Sequence, residues 1–155
     1  MKKVLIIALI AASAAAGTFA QQQGIKGYLV DVLCGQAGYP EGYQGKIDLT
    51  VNPEKNVVAC LTMDNCVATG FGLYVKGSSG KYAFHPFDKA SSDLVKKQIV
   101  AKLTNKAAPA PFIEVNGTAS GTGIISGVTK AATAKASAPA VPEGTKSTGM
   151  SGHTM

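Results

Sequence analysis

Apolar residues recur with a period of two along residues 24–32, with Tyr28, Val30 and Val32 on one face and Ile25 and Leu29 on the other. That pattern predicts a strand covered on both sides. The period returns at 71–75, where Phe71, Leu73 and Val75 alternate with Gly72 and Tyr74, and again at 82–87, 112–118 and 123–128. Gly77-Ser78-Ser79-Gly80 predicts a hairpin turn between the second and third strands. The last two strands turn either at Asn116-Gly117 or at Ser120-Gly121.

Two stretches have helical signals instead. Val95, Ile99 and Leu103 fall at i, i+4 and i+8, with Lys96 and Lys97 off that stripe, which predicts a helix over 89–104 capped by Asp88 or Ser91. Asn52-Pro53-Glu54 places a cap residue, a proline and an acid at a helix start. It predicts a helix over 53–68, broken or bent around 62–65 and stopped by Gly70. Residues 35–50 are rich in glycine and tyrosine, have no period, and read as a long loop. The expected fold is mainly β with two short helices, an α+β chain. Five strands with a helix between the third and fourth is the element order of an OB-like five-stranded small barrel. A small α+β sheet or sandwich is the alternative.

The two ends of the chain read differently from this middle. Lys2 and Lys3 precede an apolar run over 4–16, and Thr18 and Ala20 stand at the small-residue positions of a cleavage site. This order predicts a secretory signal peptide over 1–20 and a periplasmic or secreted product. The run falls short of the roughly 20 residues a spanning helix needs. No cysteine follows the cleavage site to carry a lipid anchor. From 131 to 155 the chain is dominated by Ala, Lys, Thr, Ser, Pro and Gly, and it reads as a disordered tail. The domain is therefore placed at 21–130.

Charge narrows the partners. Two of the 15 basic residues lie in the signal, which leaves 13 against 9 acids, a net charge of +4. All of them are lysine. Without arginine the chain lacks the usual residue for bidentate phosphate and base contacts, so nucleic acid is not an expected partner. An envelope component or a small ligand is the expected class.

Three cysteines, Cys34, Cys60 and Cys66, are the most reactive residues of the domain. An exported chain meets an oxidising compartment, so one disulfide with one thiol left over is one expectation. Cys60 and Cys66 cannot pair across a straight helix, because six residues place them about 240° apart and about 9 Å along the axis. Either the helix breaks between them or Cys34 pairs with one of them. The other expectation is a thiolate metal or redox site of Cys34, Cys60 and Cys66, with Asp31 or His85 assisting. Three thiolates and a fourth donor suit a soft metal ion such as zinc or copper as Cu(I). Neither C-x-x-C nor C-x-x-C-H occurs, and His85 has no nucleophile motif beside it, so no catalytic site is expected. His153, between Met150 and Met155, lies in the tail.

Taken together, residues 27–35 (GYLVDVLCG), 52–70 (NPEKNVVACLTMDNCVATG), 80–84 (GKYAF) and 113–128 resemble a group of small secreted bacterial domains of unknown function. The resemblance implies a compact β-rich, OB-like domain with no established activity. It also implies a histidine shortly before the cysteine pair, where this chain has Asn56. The functional expectation is an exported, non-enzymatic binding or structural domain stabilised by a disulfide. The alternative is the thiolate metal-binding or redox protein.

Overall fold

The computed structural model describes residues 23–136. The segment expected to be a signal peptide, residues 137–155 of the expected tail, and with them His153, lie outside the described residues. Five strands run in the order expected: β1 (Gln23–Asp31), β2 (Phe71–Lys76), β3 (Tyr82–Pro86), β4 (Phe112–Ala119) and β5 (Ile125–Thr133). They form one antiparallel sheet in the order β3-β2-β1-β4-β5. β1 is central because it pairs with both β2 and β4, with Leu29 opposite Leu73 and Ile25 opposite Val115.

The period of two sorts the side chains into two layers. On one face Leu29, Phe71, Leu73, Ile113, Val115 and Ile125 form the main core. Each such fully buried aliphatic or aromatic side chain contributes about 1.5–3 kcal/mol. On the other face Val30 and Tyr74 pack with Leu49, Cys34 and Cys60. Both faces of β1 are thus covered, as its two apolar stripes predict.

The sheet is not closed. Its edges, β3 and β5, touch through a single parallel bridge between Phe87 and Ile125, with Asp88 N–H donating to Ile125 O at 3.0 Å. The barrel expectation is therefore reduced to an open five-stranded sheet with short helices.

The helices follow expectation in part. α1 (Val32–Ala37) forms where a strand end and a loop were expected. Six residues are too few for a periodic signal, and a cap plus packing create this helix. The stretch 53–68 divides into a turn of 3-10 helix at Pro53–Lys55, α2 (Val58–Leu61) and α3 (Asp64–Thr69). The break falls at Thr62–Met63, where Thr62 Oγ1 turns back to donate to Val58 O at 2.9 Å. α4 (Lys89–Gln98) is the predicted amphipathic helix, and it ends in a 3-10 turn at Val100–Lys102.

One further detail corrects the sequence reading. β5 continues to Thr133, so residues 131–133 are strand and not tail; Ala131 is buried on the main core. The final hairpin turns at the second of its two expected places, Ser120-Gly121, with Ser120 N–H donating to Ile124 O at 2.9 Å. Asn116 and Gly117 instead lie inside β4 at an irregularity in its pairing with β5.

Candidate metal centre

β1 ends on Asp31, and the same residue caps the helix that follows. Its backbone is extended, and its Oδ1 accepts from Cys34 N–H at 2.9 Å. An N-cap acid binds the N–H three residues on, so D-x-x-C places a carboxylate and a thiol in one corner. Gly38, at φ 82, ends α1 and donates its N–H to Cys34 O. Gly35 lets α1 settle on the sheet, since a Cβ there would lie 2.4 Å from the Phe84 ring. Its carbonyl accepts the Tyr74 O–H at 2.8 Å.

The other two cysteines come from the broken helix. Cys60 lies in α2 and Cys66 in α3. The break at Thr62–Met63 removes the opposed angles that a straight helix imposes, and both thiols turn inward. Gly70 O, just beyond α3, accepts from Val32 N–H at 3.0 Å and fastens α3 to the start of α1.

The result is a buried group of one carboxylate and two thiols: ligand atoms of Asp31, Cys34 and Cys66 all lie within 4.8 Å of one another. Cys60 lies outside that group, in the same small core as Cys34. Asp31 and Cys66 are 0 % exposed, Cys34 1 % and Cys60 5 %. All three thiols are free. Asp31 Oδ2 has no well-aligned hydrogen-bond donor, although it is fully buried. A buried, unpartnered carboxylate oxygen is costly and calls for an explanation.

Burial pushes all three thiols up, and the Asp31 charge adds to it. Cys66 is pushed up to about 12. Cys34 is pushed up further, against the opposing pull of the Glu41 backbone N–H at its sulfur. The three thiols beside Asp31 are thus neutral. Protonated, buried thiols are poor nucleophiles. They become strong donors when a metal ion displaces their protons.

A cavity of about 420 Å³ opens above Cys34, lined by Leu33, Ala37, Tyr39, Glu41 and Gln44. Glu41 lies in the loop after α1, and its Oε2 accepts from Asn65 Nδ2 at 3.2 Å. Sequence reading missed Glu41, which is a single acid in a loop without a period.

Of the predicted site residues, Asp31, Cys34 and Cys66 come together, with Cys60 in the same small core as Cys34. His85 does not join them. Its neighbour Phe84 faces Gly35 and the smaller core, and adjacent strand residues point to opposite faces. His85 Nδ1–H instead donates to Gly123 O at 2.9 Å, tying β3 to the final hairpin. Asn56 is buried with both side-chain polar atoms unpartnered. No helix among the described residues is long and apolar enough to cross a membrane. Compared with known protein families, curated proteins and solved structures, the chain matches none.

Proposed function

We propose that this chain is an exported, non-enzymatic domain that binds one soft or borderline metal ion through Cys34, Cys66, Cys60 and Asp31. The observation that carries this reading is the fully buried Asp31 carboxylate, one oxygen of which has no hydrogen-bond partner, gathered with the Cys34 and Cys66 sulfurs within 4.8 Å. Three sulfurs and one oxygen form a four-donor set suited to zinc, and the sulfurs alone suit Cu(I). The domain is OB-like in this reading. Support comes from the strand order and from the contact of its two edge strands at Phe87 and Ile125.

The first expected outcome concerns loading. Native mass spectrometry of the reduced protein with zinc or Cu(I) gives one bound ion per chain. Loss of an outer-shell partner costs roughly 10–100-fold in metal affinity, so Cys34→Ser or Cys66→Ser lowers it by more than about 100-fold. Asp31→Asn keeps a residue able to cap α1, so its loss of affinity reports on the ligand and not on the helix. A chain that retains no ion under these conditions refutes the reading.

A second reading has its own observation. Cys34 and Cys60 share the smaller core, and an oxidising compartment favours pairing them. A binding or structural domain with a Cys34–Cys60 disulfide then leaves Cys66 beside Asp31. Thiol counting in denatured protein purified from the periplasm separates the two. The metal reading gives three free thiols, and the disulfide reading gives one.

A further inference from the structure

The four donors are buried, so an ion must reach them through a passage that carries suitable chemistry. Cys34 lines the cavity of about 420 Å³, and Glu41 is the one charged side chain in that lining. Glu41 is exposed, and its carboxylate rests on Asn65, the residue before Cys66. It therefore stands in solvent between the cavity that Cys34 lines and the segment that carries Cys66.

We propose that Glu41 is the capture ligand of the metal centre, and that the ion it admits is a divalent cation of the zinc class. This rests on the metal reading above. A carboxylate oxygen suits a divalent borderline ion and is a poor donor to Cu(I). Asp31 supplies a second such oxygen, gathered with the Cys34 and Cys66 sulfurs within 4.8 Å. Glu41 holds the incoming ion in the cavity, and the thiols then replace its oxygen. Each thiol that ligates forms one metal–sulfur bond and releases one proton to solvent, so no electron is transferred. Because the final donors exclude Glu41, its role is in the rate of loading and not in the final affinity.

Cadmium serves as the probe, since cadmium–thiolate bonds absorb in the ultraviolet and report loading directly. Stopped-flow mixing of the reduced full chain with cadmium chloride gives an absorbance rise in the native protein. Glu41→Gln slows that rise by about tenfold, at the lower end of the range for electrostatic focusing at a cleft. Its equilibrium affinity, from competition with a chelator, stays within about threefold of native. Glu54→Gln, a removed acid in a different cavity, loads at the native rate. Loading of Glu41→Gln at the native rate overturns the capture role and leaves the centre intact. A loss of affinity in Glu41→Gln as large as that of Cys34→Ser overturns it too, because Glu41 is then a resident ligand. A native protein that shows no cadmium–thiolate absorbance overturns the centre and the capture role together.

Discussion

Tyr74 carries its hydroxyl under α1 and donates it to Gly35 O, so one phenol fixes the helix that bears Cys34. Burial pushes its ionisation up to about 12 from the ordinary 10.0. The folded chain therefore holds a proton that the unfolded chain releases in that window. Stability from this group is fully present below pH 10 and falls as pH rises toward 12. Tyr74→Phe removes that part of the alkaline decline and leaves the Gly35 carbonyl without its donor, at a cost of about 1–3 kcal/mol near neutrality. Urea unfolding of both proteins between pH 7 and 11 checks both effects. At this scale the sequence was partly readable. Asp31 stood out as a candidate donor beside the three cysteines. Glu41 did not stand out, because its place depends on the path of a loop and on a partner 24 residues away.

Among the elements, α4 shows how a helix can serve a sheet. Ser91 Oγ accepts from Val128 N–H, Ser92 Oγ from Phe71 N–H, and Gln98 Oε1 from Ala131 N–H. Three strand N–H groups thus donate to helix side chains. The helix starts at Asp88, whose carboxylate accepts from Ser91 N–H at 2.8 Å. The bonds from Ser91 hold the Asp88 carboxyl below its ordinary range. Asp88→Ala lowers stability by about 1 kcal/mol, the typical value of an N-cap. The difference from native is present above the ordinary carboxylate range and vanishes as pH falls through the lowered value. Thermal melts at pH 7 and pH 2.5 test this. α4 was legible because ten residues carry a full amphipathic stripe and a cap. α1 was not, because its helix comes from Asp31 and from contact with Phe84, both of which act only once the sheet exists. The break in 53–68 was legible in place, but its effect of turning Cys60 and Cys66 inward was not.

Across the whole molecule, the strand order followed from period and turn chemistry, whereas closure did not. Whether β3 and β5 meet depends on sheet twist and on the single contact at Phe87 and Ile125, and neither leaves a periodic trace. The convergence of the candidate donors has a further consequence. They come from two segments, 31–34 and 60–66, joined by a long intervening chain that crosses the smaller layer. Unfolding separates these segments and abolishes the centre, so an ion bound there favours the native state by mass action. At a free zinc concentration one hundred times the dissociation constant, stability rises by about 2.7 kcal/mol. The melting temperature of the native chain climbs with each increment of zinc, while that of Cys66→Ser stays flat. In that behaviour the fold becomes a gauge, whose persistence reports how much metal its surroundings hold.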